Sequence, residues 1–452
     1  MHLQVSQAKQ LFLEGSKLLQ TGNASAALTR FRVVLTVEPL NPLIHLHTGA
    51  ALHDLGRYPE AAASYHQALE LAPNMGEGHN NLGNSLMAMG LFRDAAECFT
   101  RAATILQTSP VPLTARATAL QALGQVTESE RDCRVALAID PCFPAAHWNL
   151  ALNLLLQGRY QEGWPEYEWR WRKPDFTSPC RHTDLPLWDG TPLDGSTILL
   201  HAEQGFGDAI QFVRYAPLVA ARGGNIVLEC HPQLVSLFQG VEGVRAVIPF
   251  GSPMPSFACQ APLLSLPLIF GTTLKSIPSR IPYISISDTY RRKWERITPF
   301  NQELRIGVAW TGKKFPDPLR SCRLSDLTPL ADLQNAMFYS LQMGRGSEQT
   351  CSPPTGMRLV DLTGQIFDFA DTAALIEQMD LVISIDTAVA HLAGAMGKPT
   401  FLMLPFAPDW RWLLERNDSP WYPTVRIFRQ KLPGEWGNVV AGIHKTLLDI
   451  TM

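Results

Sequence analysis

The chain has 452 residues, too many for one hydrophobic core, and reads as two or three domains. Its 38 basic and 41 acidic residues leave a net charge of −3 with no long block of either sign, which argues against an electrostatic nucleic-acid binder. Eight cysteines without a CxxC or a paired Cys/His spacing argue against structural zinc and a disulfide framework, and fit a reducing compartment. The opening MHLQVSQAKQLFLEG lacks the basic and apolar stretches of a secretory signal, and no apolar run approaches a membrane span, so a cytoplasmic location is expected.

The first third repeats itself. Gly15, Gly49 and Gly83 are 34 residues apart, as are Ala27, Ala61 and Ala95, and Phe31, Tyr65 and Phe99. Gly56, Gly90, Gly124 and Gly158 keep the same step, and so do Pro39 and Pro73; Pro141 lies two periods further on, with Gln107 in the slot between. This pattern resembles the tetratricopeptide repeat, a pair of antiparallel helices that cannot bury its apolar face alone and therefore stacks on its neighbours. Four repeats start near Ala8, Pro42, Gly76 and Pro110, and a fifth near Pro144 departs into GRYQEGWPEYEWRWRKP. The resemblance implies an α-solenoid over residues 1–173 whose concave face takes a peptide or protein; the alternative is a brace for the domain that follows. Trp164, Trp169 and Trp171 read as a packed hinge, since so many aromatics are costly to expose, and Pro174 to Pro192 as a linker.

From Ser196 strands and helices alternate, the grammar of a parallel sheet covered by helices. Thr197 to His201 is a strand, Gly205-Phe206-Gly207-Asp208 a glycine turn, Ala209 to Ala221 a helix, Asn225 to Glu229 and Arg245 to Pro249 further strands. The turn lacks the full dinucleotide fingerprint, so it gives NAD little support. A second α/β half begins at Leu304, with RIGVAW a strand, Leu324 to Asp332 a helix, and Met337 to Leu341 a strand ending at Gln342. The stretch DLVISIDTAVAHLAGAMGKP, from Asp380 to Pro399, then reads as buried strand, turn and helix. Asp386 and Thr387 are placed to cap that helix, its small residues let a ligand approach, and its first turn favours a phosphate. His391 lies one turn after Thr387, on the same face. The plainer reading of this stretch is an ordinary βα unit. A last helix, from about Asn438, carries Val440, Ile443, Leu447 and Ile450 on one stripe. The halves are taken as 174–290 and 291–452, joined near Pro282 to Arg291, with a cleft between them.

Two such halves, GFGD on the first βα turn and DTAVAHLAGAMGKP late in the second, resemble the GT-B glycosyltransferases, and more closely the heptosyltransferase-like family 9. Together with the repeats, HAEQGFGDAIQFVRYAPLVAARG and DWRWLLERNDSPWYP are similar to bacterial tetratricopeptide proteins that carry such a domain. Some relatives of that group modify flagellin, and the O-GlcNAc transferases share the broad architecture. The resemblance implies an α-solenoid followed by two Rossmann-like α/β domains, acceptor on the first and nucleotide sugar on the second. It implies Asp208 as the general base, beside Gly205 and Gly207 of the turn; the plainer reading of Asp208 is a helix cap, and both roles can coexist. It implies donor contacts from Asp386, Thr387, His391 and Gly394, and from Lys313, Lys314 and Arg320 after the RIGVAW strand. Gln342 lines the nucleotide pocket or merely ends its strand. Trp410, Arg411 and Trp412, with Asp418 to Tyr422, read as packing behind the donor site, and Arg411 as an alternative contact to acceptor or phosphate.

No strict DxD occurs, so transfer without a metal or other cofactor is expected, with inversion, from a nucleotide-sugar donor to a protein or peptide on the repeats. The rivals are a non-catalytic scaffold with a vestigial or nucleotide-sensing cleft, and a transferase acting on a glycan.

Overall fold

The computed structural model describes residues 5–298, 302–313 and 318–451, which places Lys314 outside the described residues. The chain forms two compact units, Met1–Asn153 and Leu154–Met452.

The first unit is a stack of helix pairs: Val5–Gln20 with Ala24–Leu35, Pro42–Asp54 with Tyr58–Leu71, Gly76–Ala88 with Phe92–Ile105, and Val111–Ala122 with Val126–Ile139. The 34-residue step has a steric origin. Gly15, Gly49 and Gly83 lie flat against Phe31, Tyr65 and Phe99, and a Cβ at any of them would come within 2.6 Å of the ring. A second constraint ends the first helix of each pair. Gly22, Gly56, Gly90 and Gly124 adopt φ of 72° to 79°, the left-handed conformation that turns the chain back and that glycine adopts without strain. Polar bonds then link repeat to repeat: His53 Nδ1 meets Ser85 Oγ at 2.9 Å, and Asn149 Nδ2 donates to Thr118 Oγ1 at 2.9 Å.

The second unit starts earlier than the sequence suggests. Residues 154–173, expected as the end of the solenoid, pack with the α/β region because their aromatics find partners there. Trp164 Nε1 donates to Thr272 O at 2.9 Å, and Tyr160 Oη accepts from Trp421 Nε1 at 3.0 Å. Arg170 is fully buried, donating to Glu203 at 2.8 Å and Glu168 at 2.6 Å. The stretch read as a linker is an ordered strap. Arg181 donates to Ala202 O at 2.7 Å and pairs with Glu229 at 3.0 Å, and Trp188 is buried with its backbone N–H on Gln260 O.

Two parallel sheets follow. The first has the order β3-β2-β1-β4, from β1 (Thr197–His201), β2 (Asn225–Cys230), β3 (Val244–Pro249) and β4 (Cys259–Pro262). The second has the order β10-β9-β8-β5-β6-β7, from β5 (Leu304–Ala309), β6 (Ala336–Ser340), β7 (Leu359–Val360), β8 (Leu381–Ile385), β9 (Thr400–Leu404) and β10 (Val425–Arg429). β8 sits at the centre, with Ile383 in register with Val308 of β5 and Phe401 of β9, and all five of its residues are buried. Burying each of its large aliphatic side chains stabilises the fold by about 1.5–3 kcal/mol. The closing helix, Gly437–Thr451, lays Val440, Ile443 and Leu447 onto this sheet.

Strand order fixes where a ligand can sit. In the first sheet the chain leaves β1 on one side for β2 and returns on the other for β4; in the second it leaves β5 for β6 and returns for β8. Such reversals open a crevice at the strands' carboxyl ends. After β1 comes the GFGD turn, after β5 the loop toward Arg320, and after β8 Asp386 and Thr387.

Gly49→Val is expected to overpack the Tyr65 contact and lower the unfolding free energy of the repeat unit by about 1–3 kcal/mol. Urea denaturation followed by far-UV circular dichroism measures it, with Gly22→Ala as a comparison that meets no neighbour but strains φ.

Candidate active site

The GFGD turn starts a helix, Phe206–Phe212, rather than preceding one. Gly205 is the cap, and its N–H donates to Asp208 Oδ2 at 2.8 Å, so Asp208 closes the first turn of its own helix. This helix ends at Phe212 instead of running to Ala221, giving way to a 3-10 turn before Ala216–Ala220, where Pro217 interrupts the hydrogen-bond ladder.

In the second half β8 passes directly into the Ala388–Ala395 helix. Thr387 occupies its cap position, but no side chain caps the helix: Thr387 Oγ1 faces Ser384 Oγ at 3.2 Å instead. The N–H groups of Ala388 and Val389 consequently have no acceptor among the described residues, the arrangement that suits an anion.

The two helix starts meet. A Cβ at Gly207 would lie 2.8 Å from the His391 ring and 3.6 Å from Ala388 Cα, so the missing side chain is what lets the halves approach. Into this junction comes Arg411, from the 3-10 turn Trp410–Trp412. Its Nη2 donates to Asp208 Oδ1 at 2.5 Å, Nη1 to Asp409 at 2.9 Å, and Nε to Gln211 Oε1 at 2.6 Å, while the guanidinium stacks on Trp410. Burial pulls the Arg411 pKa down, but Asp409 and Asp208 outweigh it and the net direction is upward, so the group stays charged. Packing or a ligand contact is what the motif implies for Arg411; its partner is the candidate base itself. A lone Arg between two tryptophans carried no signal for that.

His391 is buried, its Nδ1 2.9 Å from Tyr422 Oη, its ring stacked on Trp412 at 5.3 Å, and its Nε2 3.7 Å from Asp386. Burial alone would push the Asp386 carboxyl up; the imidazole beside it, with Arg320 and Arg411, holds it below the usual carboxylate range. Arg320 donates to Lys313 O at 3.3 Å, and its buried Nε has no acceptor among the described residues, as is also true of Gln211 Nε2. Unpaired buried donors of this kind cost about 1–3 kcal/mol each, which a ligand bringing oxygen atoms would recover. Lys313 is exposed, and its charge reaches His231 of the first half, whose pKa is lowered by burial first and by Arg181 and Lys313 after it.

Two expected contacts fall elsewhere. Gly394 lies six residues beyond Ala388, about 9 Å along the helix axis, and its Cβ position is filled by the Tyr422 side chain at 2.6 Å, so it serves packing. Gln342 spends its amide on backbone: Oε1 accepts from the N–H groups of Trp310 and Thr311, and Nε2 donates to Thr311 O and Arg345 O. It pins the turns after β5 and β6. Behind the GFGD turn, Glu203 was not singled out by the sequence. Burial pushes its carboxyl up to about 7, against the pull of Arg170.

Residues 49–90 match the family description of the TPR repeat, and residues 346–402 that of glycosyltransferase family 9 (heptosyltransferase). Over these two stretches the chain is thus similar to tetratricopeptide repeats and to the family 9 glycosyltransferases. The family 9 match takes in β8 and the Ala388–Ala395 helix and stops short of Arg411. The chain is also 26% identical over 435 residues to protein FlbA of Caulobacter vibrioides, covering 88% of this chain and 71% of FlbA. It is 36% identical over 84 residues to the peroxisomal targeting signal receptor of Kluyveromyces lactis, 19% of this chain and 15% of that one. Among solved structures, MamA 41-end from Desulfovibrio magneticus RS-1 is 19% identical, with a TM-score of 0.33 over 36% of this chain and 90% of that one.

Arg411→Met leaves Asp208 and Asp409 facing each other without their shared cation, and is expected to lower stability by about 3 kcal/mol; Arg411→Lys should recover less than half, since an ammonium cannot reach three acceptors in a plane. Denaturant unfolding of the full chain checks both.

Glu203 gives a pH signature. Its folded value of about 7 lies above the ordinary 4.5, so its contribution is full below about pH 4.5 and is lost as pH rises through about 7. The difference in melting temperature between wild type and Glu203→Gln, scanned from about pH 5 to 8, is expected to shift against the wild type as pH rises.

Proposed function

We propose that the chain moves a sugar from a nucleotide-sugar donor to a hydroxyl of a protein or peptide recruited by the repeats, with inversion and without a metal. The observation that carries this reading is the meeting of two helix starts, one from each half, at the carboxyl ends of β1 and β8. That meeting gathers Asp208, Asp386, His391 and Arg411 in one junction.

In this reading the donor's phosphates rest on the free N–H groups of Ala388 and Val389, with Thr387 and Asp386 beside them and the unpaired Nε of Arg320 supplying a further donor. The acceptor oxygen attacks the anomeric carbon from the opposite side. As the new C–O bond forms, its proton passes to Asp208, and the bond from carbon to phosphate oxygen breaks with its electrons on the leaving group. An alcohol is a weak nucleophile at neutral pH, and a positioned base contributes about 10²- to 10⁴-fold. Helix N–H groups and guanidinium ions neutralise the leaving charge in a water-poor junction, where they act more strongly than in solvent. Arg411 keeps Asp208 aimed, and the approach of a hydroxyl displaces one of the two bonds that now hold it.

A scaffold with a nucleotide-sensing cleft is the second reading, favoured by the fact that both Asp208 oxygens already have partners. Calorimetric titration of UDP, GDP, ADP and CMP sugars into wild type, Asp386→Ala and Asp208→Asn, followed by turnover with the binding donor, separates the two. One donor bound by wild type and weakened about tenfold or more in Asp386→Ala is expected. In Asp208→Asn the expectation is binding within about threefold of wild type and turnover lowered at least 10²-fold. Donor binding without any turnover in wild type selects the scaffold.

A further inference from the structure

Away from the junction, a cavity of about 420 Å³ opens beside the chain segment that links the two halves. Arg214 lies in its wall, 3% exposed. The guanidinium donates through Nε to Gln211 O at 3.0 Å, through Nη1 to Pro278 O at 3.4 Å and Trp421 O at 2.9 Å, and through Nη2 to Tyr283 Oη at 3.0 Å. The rings of Tyr283, Tyr422 and Trp421 flank it at 4.6, 4.8 and 5.4 Å. All of these partners are neutral. Arg214 forms no ion pair among the described residues, and Glu242, the carboxylate in the cavity wall, is bonded to Arg280.

A buried cation is expensive to desolvate, and carbonyl dipoles and aromatic faces offset this only in part. Arg has five N–H donors, and the partners named take four. Pro217, Leu218, Val241 and Ile284 supply an apolar lining, and Ser279 and Ser285 bring hydroxyls. Cavities of this size hold small organic molecules.

We propose that this cavity binds a small organic carboxylate, its charge on Arg214 and its apolar body against Leu218 and Val241. A monoanion matches the one uncompensated charge. The apolar lining favours a ligand with a hydrocarbon part over a bare ion. Because Arg214 bonds Gln211 in the first half and Trp421 in the second, an occupant acts on the joint between the halves.

The test uses the full chain with benzoate as probe, its neutral isostere benzamide, and inorganic phosphate, read by calorimetry and by melting temperature. Saturable benzoate binding is expected, at least tenfold tighter than benzamide and than phosphate. Gly240 lines the cavity, and a Cβ there meets Ser285 only at ordinary contact distances of 3.4 and 3.6 Å. Gly240→Leu therefore fills the space without disturbing the fold and should weaken benzoate at least tenfold, as should Arg214→Gln. The proposal is overturned if benzamide binds as well as benzoate, if phosphate matches it, if Gly240→Leu binds benzoate like wild type, or if no saturable binding occurs. Each readout is independent of turnover, so none depends on whether sugar is transferred.

Discussion

The Arg411 guanidinium, held by Asp208 and Gln211 of the first half and Asp409 of the second, is the interaction on which the rest of the α/β unit turns. Taking a cation and two carboxylates out of water is unfavourable unless the geometry is good and the remaining donors are satisfied. Here the planar fork of arginine meets three acceptors in different directions, with Trp410 stacked on its face. The arrangement tolerates no free sliding of one half over the other, since a shift of an ångström or two would strand a buried charge. A carboxylate that would otherwise only cap its helix is thereby fixed at the meeting of the halves.

Topology explains why the charges converge there. Both sheets reverse their strand order next to the strand that carries the motif, β1 in one half and β8 in the other, and each strand is followed within a few residues by a helix. Two helix starts are thus aimed at one place by backbone geometry alone. Both bring the positive end of a macrodipole, and the second brings N–H groups unpaired among the described residues, which is why acidic side chains and a candidate phosphate site gather there. The residues 154–173 brace the region from behind, with Arg170 buried against Glu203 just ahead of the GFGD turn.

Much of this was legible in the sequence. A period of 34 revealed the solenoid because the glycine–aromatic contact recurs in each of the first three repeats, where it admits no larger residue. LVISI gave β8 because a strand buried on both faces has to be apolar throughout. What escaped had physical reasons. CQAP, the edge strand β4, carries Gln260 and Pro262, so no apolar run announces it. The linker reading of Pro174 to Pro192 followed from composition, whereas Arg181 and His182 on the buried Glu229 make it an ordered strap. Gln342 and Gly394 stand at motif positions, but the side chain of one is consumed by backbone and the other lies a turn and a half too far along its helix. The pairing of Asp208 with Arg411 spans 203 residues, and such a partner has no signature in local spacing.

Gly207, His391, Tyr422 and Gly394 form a continuous circuit of contact, open at its ends: the first glycine lies against the imidazole, the imidazole bonds the phenol, and the phenol covers the second glycine. Each member is excluded from change by its neighbour's volume rather than by a reaction. The signature of the stretch is therefore first of all a mould of how two domains nest. Chemistry inherits that mould, and a descendant could exchange its substrate, or lose it, while the circuit stayed in place. Divergence in such a lineage would show in the loops around the mould, after β5 and beyond Asp409, before it reached the glycines.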